Sequence, residues 1–411
     1  MNPDLQYTLI EDHSDDGQRA GEGSVATLRD GRLLLFYSRF LQGGKDNDPS
    51  HIAARISSDG GQSWSAPRPQ FLPPAGALNA MSASLLRLDD GYLACVFLIK
   101  WSERHMIPMA TWSGDDGATW TEPVPVSDEK EYFCVNNDRL VQLADATLVL
   151  PYARLRNTET QPAESDQRWN MMCGLFFSRD RGRTWRRSPH EVTHTPEVFT
   201  PPLVESPIHQ HGDLAYEITH RLGVFQEPGV QPLSDGRLLL YMRSSYAIYR
   251  CFAEGVESPW RDCGIFPGLN VCCGPQTIRR LPGSGYLLML YNDRGDLAWG
   301  ERGFRDRTPL SVAISPDEGK TWERWGQLEN DSHNYCYFSL LFSGDQFLTS
   351  YYQSGNPARG GKPERRNLAS LKMCSGPLEI FSFEGKWRHG GSKSPHRLGG
   401  DHTFAFKNLF S

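Results

Sequence analysis

Charged and amide side chains stand at the head of several apolar, hairpin-like runs in this sequence. Glu227 comes directly before one such run, which Arg243 ends, and Asn79, Arg139 and Asn292 occupy comparable places in others. Carboxylate, guanidinium and amide groups that converge on one cavity are well suited to binding a sugar. The pattern therefore predicts a carbohydrate site wherever the fold brings these strand heads together.

Two loops carry further groups that could do chemistry. The segment LQGGKDNDPS holds Asp46 and Asp48 after two glycines, which suits either a mobile lid or an ordinary solvent-exposed loop. His209 and His211 lie in a segment rich in Pro and His, and they could overhang a site or belong to a partner surface. We expect no metal site and no cofactor, because the sequence has neither a phosphate-binding glycine loop nor His-Glu-x-x-His.

One eight-residue box recurs four times and has a structural explanation. It reads Ser-x-Asp-x-Gly-x-(Ser/Thr)-Trp and begins at Ser57, Ser113, Ser178 and Ser315, and a degenerate copy keeps only Trp260. In such a box the Asp side chain accepts hydrogen bonds from backbone N–H groups and the Gly takes a positive φ, which makes a tight turn. We expect the Trp to pack between neighbouring sheets, and none of these residues to be catalytic.

A second repeat accompanies the boxes and consists of two apolar runs joined by a turn with Asp-Gly or a similar pair. Asp-Gly between β-rich runs is typical of a β-hairpin. The six occurrences span residues 24–38, 82–97, 138–153, 228–243, 275–291 and 337–352. Each supplies two inner strands, to which a third strand, the box turn and an outer fourth strand are added. The sequence therefore predicts an all-β fold, a six-bladed β-propeller with four-stranded antiparallel blades.

The repeats cover nearly the whole chain, so we expect a single domain over residues 1–411. A segment of about 187–222 interrupts the rhythm between the third and fourth blades and is expected to be a loop or a small β excursion on one face. The ring should close by pairing an N-terminal strand near residues 5–10 with the sixth blade. A C-terminal tail of about 388–411 follows.

Composition argues against several classes of partner. The chain has 43 Lys and Arg against 49 Asp and Glu, a net charge of −6, which disfavours nucleic acid and an anionic membrane surface. No apolar run reaches the roughly 18–20 residues of a membrane span, and residues 1–20 do not resemble a signal peptide. The sequence as printed predicts a cytoplasmic protein. A leader removed before residue 1 would instead make the protein secreted or periplasmic.

The nine cysteines are too dilute for a disulfide scaffold and include no Cys-x-x-Cys pair. We expect them to pack as small, buried, hydrophobic side chains. A single activated thiol is the alternative interpretation.

The boxes resemble the Asp-boxes of the sialidase superfamily, and the blade pattern is similar to that family over nearly the whole chain. Sialidases hold the sugar carboxylate with three arginines. They use a tyrosine nucleophile that a glutamate polarises, and an aspartate on a mobile loop as the acid/base. A neutral phenol suits a reaction beside a carboxylate, which would repel an anionic nucleophile.

The resemblance implies roles for particular residues. Tyr337 resembles the nucleophile, with Tyr335 as its rival, and Glu227 resembles the glutamate that polarises it. Asp46, with Asp48 as the less favoured neighbour, lies where the family has its acid/base. The arginines that the resemblance places against the substrate are Arg39, Arg243 and Arg307.

The match departs from the family at the first arginine. Where sialidases begin blade one with Arg-Ile-Pro, this chain reads Gly21-Glu22-Gly23. A glutamate about 3–4 Å from a ligand carboxylate would repel it by several kcal/mol in a partly dry site. Either Glu22 binds something else, such as a hydroxyl or a paired arginine, or the substrate is not a standard sialoside. Arg139 is the candidate for the missing cation.

Three functions follow as hypotheses. The first is an exo-acting glycoside hydrolase that releases a terminal acidic sugar, sialic acid or a related 2-keto acid, from a glycan. The second is a hydrolase or lyase for uronate-bearing glycans, with Glu22 and His211 in the site. The third is a non-catalytic propeller that binds glycans or proteins, and its distinguishing feature is a site without a coherent nucleophile–base pair. A separation of Glu227 and Tyr337 well beyond hydrogen-bond reach would exclude the first hypothesis and its residue assignment.

Overall fold

Six antiparallel sheets, arranged as the blades of a β-propeller, make up the computed structural model of this chain. The structure describes residues 3–155, 171–193, 225–244, 247–269, 271–272, 274–294, 306–361 and 368–382. Within these ranges the only helices are two short 3-10 turns, Pro357–Arg359 and Leu378–Phe381. The predicted all-β, six-bladed propeller is confirmed.

The N-terminal strand β1 (Gln6–Glu11) belongs to the last blade, and the first three blades follow it along the chain. Blade one contains β2 (Arg19–Thr27), β3 (Leu33–Phe40), β4 (Ser50–Ser57) and β5 (Arg68–Phe71). Blade two contains β6 (Asn79–Arg87), β7 (Leu93–Ser102), β8 (His105–Ser113) and β9 (Val124–Pro125). Blade three contains β10 (Phe133–Cys134), β11 (Val141–Gln142), β12 (Leu148–Arg154), β13 (Met172–Ser178) and β14 (Arg186–Arg187).

The remaining blades follow the same order from the inner strand outwards. Blade four contains β15 (Gln226–Pro232), β16 (Leu238–Arg243), β17 (Ile248–Ala253) and β18 (Arg261–Ile265). Blade five contains β19 (Thr277–Arg280), β20 (Leu287–Tyr291), β21 (Leu310–Ser315) and β22 (Glu323–Glu329). Blade six contains β23 (His333–Cys336), β24 (Leu341–Ser343), β25 (Gln346–Gly355) and β26 (Ser370–Pro377).

Two inner strands are broken into halves, and one outer strand closes the ring. In blade three both β10 and β11 pair with β12, and in blade six both β23 and β24 pair with β25. Strand β1 pairs antiparallel with β26, with Thr8 opposite Met373. The N-terminal strand is therefore the outermost strand of blade six, as the sequence analysis expected.

The four boxes form the outer turns, and each is closed by the same local hydrogen bonds. In the box of blade two, Ser113 Oγ donates to Asp115 at 2.8 Å and Thr119 N donates to the same carboxylate at 2.9 Å. Gly117 has φ 84°, and the Trp120 ring lies 5.4 Å from the Phe36 ring of blade one. The turn therefore satisfies its own polar groups, and its tryptophan joins the apolar core between two blades.

The structure differs from the sequence analysis at one pair of cysteines. A disulfide joins Cys251 on β17 to Cys263 on β18, whereas buried thiols were expected throughout. Of the other cysteines in the described residues, five are buried as expected: Cys95, Cys173, Cys272, Cys336 and Cys374. Of the predicted insertion, residues 194–222 lie outside the described residues, as does the tail of about 388–411.

Candidate active site

Four blades carry the same irregularity near the head of the inner strand. Pairing in blades one, two and four shifts by one residue there, and in blade six the break lies between β23 and β24. The first residue of each irregularity has positive φ: Glu22 (52°), Ser82 (57°), Glu227 (44°) and Tyr337 (62°). Positive φ is uncommon outside glycine and concentrates at functional sites. The same break in strand pairing therefore positions these four side chains, and blade three has a related break with Asp138 at positive φ (58°).

The side chains of Tyr337 and Glu227 form the central pair. The Tyr337 hydroxyl donates to Glu227 Oε1 at 2.8 Å, and the other oxygen of Glu227 accepts from Arg243. Burial and the Glu227 charge raise the pKa of Tyr337 well above its usual value, against the opposing effect of Arg243 and Arg307. Tyr337 is therefore a neutral phenol whose hydroxyl donates to a carboxylate, and the pair is not separated in the way that would have excluded the tyrosine mechanism.

Arg307 approaches the same tyrosine from blade five. Its guanidinium carbon lies 5.7 Å from the centroid of the Tyr337 ring, and Nη1 donates to Cys336 Sγ at 3.1 Å. Asn292 holds the Arg307 backbone, because its amide donates to Arg307 O at 2.8 Å and to Tyr335 O at 3.0 Å. Asn292 therefore positions the arginine rather than lining the site itself.

An arginine that the sequence analysis missed fills the place opposite Glu22. Arg19 begins β2 and is buried, and its guanidinium donates to Glu22, to Asp46 Oδ1 at 2.5 Å and to Tyr352 Oη at 2.7 Å. The second oxygen of Glu22 accepts from Ser82 Oγ at 2.8 Å. Glu22 thus binds a paired arginine, one of the two options left by the sequence. The only sequence signal was an arginine two residues before Gly21-Glu22-Gly23.

The loop that carries Asp46 is held over this arginine. Asn79 of blade two donates to Asp46 O and Asp48 O, both at 2.9 Å. The Arg19 charge lowers the pKa of Asp46, and the charges of Lys100 and Arg243 add to it, while burial opposes the shift. The Asp48 carboxylate instead accepts from Lys45 N at 2.7 Å within the loop. Asp46 is therefore the acid that faces the site, and Asp48 stabilises the loop.

Two predicted arginines lie elsewhere. Arg39 Nε donates to Glu11 Oε1 at 2.5 Å, on the face of β3 opposite to Ser38, whose hydroxyl bonds Glu22. Arg139 is buried and donates to Pro228 O at 3.2 Å and to Gln276 O at 2.7 Å. Arg19, not Arg139, therefore supplies the cation of blade one.

The rival tyrosine and the histidine have simple outcomes. The Tyr335 hydroxyl donates to Asp331, and its ring is fully buried in the core of blade six. His211 lies outside the described residues.

Among the residues that the structure describes, no three His, Cys, Asp or Glu side chains are grouped so as to hold a metal ion. The helices in this part of the chain do not have the length and apolar character that spanning a membrane requires.

Below the site, three consecutive residues of blade three tie the inner strands together, and we call Asn137, Asp138 and Arg139 the hub. Asn137 donates to Gly23 O at 2.7 Å and to Tyr337 O at 3.2 Å. Asp138 accepts from Ser24 Oγ at 2.8 Å and from Leu340 N at 3.0 Å. The hub therefore fixes the backbone of both the Glu22 and the Tyr337 irregularities.

Comparison with known proteins places the chain among sialidase-like propellers. The BNR repeat-like domain family matches residues 92–349, more than half of the chain. A protein of unknown function from Dyadobacter fermentans has a similar structure, with TM-score 0.63, 16% identity, and 91% of this chain and 100% of that chain covered. No curated protein sequence matches the chain.

Two enzymes of known activity share the fold at low identity. Trypanosoma rangeli sialidase in complex with sialic acid gives TM-score 0.63 at 12% identity, covering 92% of this chain and 59% of that chain. The leech intramolecular trans-sialidase in complex with 2,7-anhydro-Neu5Ac gives TM-score 0.59 at 12% identity, covering 89% of this chain and 69% of that chain. The chain thus spans about three fifths of the trypanosomal enzyme, and likeness at this identity concerns the fold.

Proposed function

This chain belongs to the BNR repeat-like domain family, and from that premise we propose that it is an exo-acting glycoside hydrolase. The enzyme hydrolyses the bond that joins a terminal acidic sugar, sialic acid or a related 2-keto acid, to the rest of a glycan. The observation that carries the proposal is the 2.8 Å hydrogen bond from Tyr337 to Glu227, in a site that also contains Arg243 and Arg307. The sialic acid bound by the trypanosomal sialidase supports the substrate class.

Bond making in the proposed reaction begins at the Tyr337 hydroxyl. Its oxygen attacks the anomeric carbon of the terminal sugar while its proton passes to Glu227. The bond from that carbon to the glycosidic oxygen breaks, and the leaving oxygen takes a proton from Asp46. This step yields a sugar bound covalently to Tyr337 and a free alcohol.

Water completes the reaction in a second displacement. It attacks the anomeric carbon and gives a proton to Asp46, while the bond from carbon to the Tyr337 oxygen breaks. The phenol recovers its proton from Glu227, so all three side chains return to their starting states. Two displacements at one carbon give retention of configuration.

The arginines hold the sugar carboxylate in this proposal. Arg243 bonds Glu227, the hydrogen-bond partner of Tyr337, and the Arg307 guanidinium carbon lies 5.7 Å from the centroid of the Tyr337 ring. A carboxylate on the carbon that Tyr337 attacks therefore meets two guanidinium groups suited to bidentate binding. Arg243 also holds Glu227 through its other oxygen. Substrate binding and orientation of the proton acceptor therefore share one residue.

The Arg19–Asp46 ion pair sets the protonation state before substrate binds. A lowered pKa keeps Asp46 ionised at neutral pH, whereas the first step needs its proton. A substrate carboxylate that binds Arg19 competes with Asp46 for the guanidinium, which lets the pKa of Asp46 rise towards its ordinary value. Binding of the acidic sugar thereby favours the protonated acid.

A hydrolase or lyase for uronate-bearing glycans is the second candidate. It is favoured by Glu22, which pairs with Arg19 and so leaves less positive charge for a carboxylate at the anomeric carbon. A lyase would release an unsaturated uronate that absorbs ultraviolet light, whereas sialoside hydrolysis produces no such absorbance. Screening uronate-bearing and sialylated oligosaccharides side by side separates the two candidates.

The proposal is tested with two readouts on the full chain. A fluorogenic sialoside is expected to be turned over, and 2,3-difluorosialic acid is expected to leave an adduct on the peptide that contains Tyr337, detected by mass spectrometry. The Tyr337→Phe variant is the matched control and should stay unlabelled. Turnover without an adduct at Tyr337 would contradict the tyrosine nucleophile, and a folded protein inactive on every sialoside would contradict the substrate class.

A further inference from the structure

Lys100 is a buried cation beside the site that the proposed reaction does not use. It lies near the end of β7, opposite Asn79 on β6, and its exposed fraction is 4%. The Nζ atom lies 5.5 Å from the centroid of the Tyr132 ring. Among the described residues its ammonium has no hydrogen-bond partner and no carboxylate within 4 Å.

Several observations place this ammonium at the site rather than in the core. Asn79, the residue directly opposite Lys100 in the β6–β7 pair, donates to Asp46 O and Asp48 O at 2.9 Å, so Lys100 lies next to the loop that carries Asp46. Burial, Cys134 and the charges of Asp46, Glu227 and Glu22 raise the pKa of the Tyr132 hydroxyl. Burial likewise lowers the pKa of Lys100, while the Asp46 charge opposes the shift. Lys100 therefore stands on the Asp46 side of the site.

An unpaired buried ammonium is unfavourable unless something compensates its charge. Removing a charged group from water costs several kcal/mol when no opposite charge replaces the water. The carboxylates whose charge acts on Lys100 are Asp46, which pairs with Arg19, and Glu103, which is exposed and accepts from Asn47 at 3.0 Å. Neither neutralises Lys100, so the partner of its charge is to be sought in the ligand.

We propose that Lys100 binds a second anionic group of the substrate, located on the sugar next to the terminal one. The inference rests on the proposed function, because Asp46 must lie within hydrogen-bond reach of the glycosidic oxygen to protonate it. A cation on the Asp46 side then faces the leaving group rather than the carboxylate at the anomeric carbon. A sulfate ester or a second carboxylate fits this place, since an ammonium binds as a point charge.

The charges around the site agree with a substrate that carries two negative charges. In the state that can donate a proton, Asp46 is neutral. Among the residues that the structure describes, the other buried or partly buried carboxylates of the site are Glu22 and Glu227, and the cations are Arg19, Lys100, Arg243 and Arg307. Within this set the cations exceed the carboxylates by two. One negative charge is the carboxylate of the terminal sugar, and the leaving-group sugar supplies the other.

The experiment compares two trisaccharides that share a terminal sialic acid and differ only by a sulfate ester on the next sugar. We expect kcat/KM of the wild type to be about tenfold higher for the sulfated one, which corresponds to about 1.4 kcal/mol. Lys100→Met should lower this ratio to about one, and Lys100→Arg should keep most of it. Lys372→Met is the control, because Lys372 also lies over a tyrosine ring but pairs with Glu329 at 2.5 Å.

A binding measurement separates this inference from the proposed function. Calorimetric titration with the sulfated disaccharide that lacks the terminal sugar needs no turnover. Binding by the wild type that Lys100→Met loses would support the role of Lys100 even if no sialoside were hydrolysed. Sialoside hydrolysis with equal kcat/KM for both trisaccharides, or an unchanged ratio in Lys100→Met, would overturn the inference and leave the hydrolase intact.

Discussion

The box turns and the candidate site both contain carboxylates that accept hydrogen bonds from hydroxyl groups. The two regions differ in how far along the chain the donors lie from the carboxylate. The Asp115 carboxylate accepts from Ser113 and Thr119, two and four residues away. The Glu227 carboxylate is held by Arg243 and by Tyr337, 16 and 110 residues away. A box is therefore complete within one hairpin, whereas the site exists only once several blades have assembled.

The pKa shifts of the two regions have different causes. Hydrogen bonds from Thr119 lower the pKa of the fully exposed Asp115 to about 2. In the site, charge and burial dominate instead: Arg19 lowers the pKa of Asp46, and burial raises that of Tyr337. A pKa shift caused by groups from distant parts of the chain is a better indication of function than one caused within a single turn. Variants whose stability and activity are measured separately test this difference.

The largest expected effect is the loss of turnover without loss of stability in the central pair. Tyr337→Phe removes the nucleophile and Glu227→Gln removes its proton acceptor, so each should lower kcat by about 100-fold or more. Sialoside hydrolysis and the denaturation midpoint measure the two quantities. Tyr335→Phe removes the hydroxyl of the buried rival two residues away and should keep kcat within about threefold. A loss of kcat in Tyr335→Phe as large as in Tyr337→Phe would show that the loss comes from disturbed packing of this segment and not from removal of a nucleophile.

The hub is expected to show the reverse, a loss of stability larger than any loss of turnover. Arg139→Met leaves the buried carbonyls of Pro228 and Gln276 without their donor, which should lower the free energy of unfolding by about 3 kcal/mol. Chemical denaturation measures this change. Arg29→Met removes an exposed arginine of the same size and should cost less than about 1 kcal/mol. Equal costs for the two variants would contradict the hub.

A smaller effect on stability alone is expected in the box turns. Gly117 has φ 84°, and a Cβ there would lie 2.9 Å from Leu34 Cδ2, whereas Gly31 has φ 85° with nothing within 4 Å. Gly31→Ala should cost about 1 kcal/mol, from the left-handed conformation alone. Gly117→Ala should cost more, because it also crowds Leu34. Turnover should be unchanged in both variants. If the two variants had the same free energy of unfolding, the packing around Leu34 would have to accommodate the added methyl group without cost.

The fold was predictable from the sequence because the boxes and hairpins are local. Asp115 and Thr119 lie in one turn, so the residue types that form it recur at fixed spacing wherever it is used. Glu227 and Tyr337 could be found because they occupy equivalent positions near the head of an inner strand. The repeat and the family resemblance predict where these two residues lie in the blades. They do not predict which side chains the two residues contact.

The remaining site residues depend on one-residue shifts that the repeat does not reveal. Successive residues of a strand point to opposite faces, so Ser38 faces Glu22 while Arg39 faces Glu11. The register shift between Gly21 and Ser24 in the β2–β3 pair determines the position of Glu22. Arg19, three residues earlier, donates a hydrogen bond to it. No periodicity distinguishes Arg19, Ser82 or Lys100 from ordinary strand residues, so only the assembled blades assign them.

The smallest expected effect is a shift of the pH profile, and it tests the coupling of Asp46 to Arg19. The general acid must be protonated, so kcat/KM for a glycan with a poor leaving group should fall about tenfold per pH unit above the pKa of Asp46. Arg19 lowers that pKa, with smaller contributions from Lys100 and Arg243. The decline should therefore begin at low pH.

Replacing Arg19 by Gln removes the largest of these charges, and the pKa of Asp46 should rise towards about 3.9. The alkaline limb should then move to higher pH, even though the variant binds its substrate less well. Arg39→Gln is the matched control, because Arg39 pairs with Glu11 on the other face of β3. A fluorogenic aryl sialoside, whose leaving group needs little protonation, should show no such limb. If Arg19→Gln leaves the limb in place, the acid is not Asp46, and the site must take its proton from a group that Arg19 does not touch.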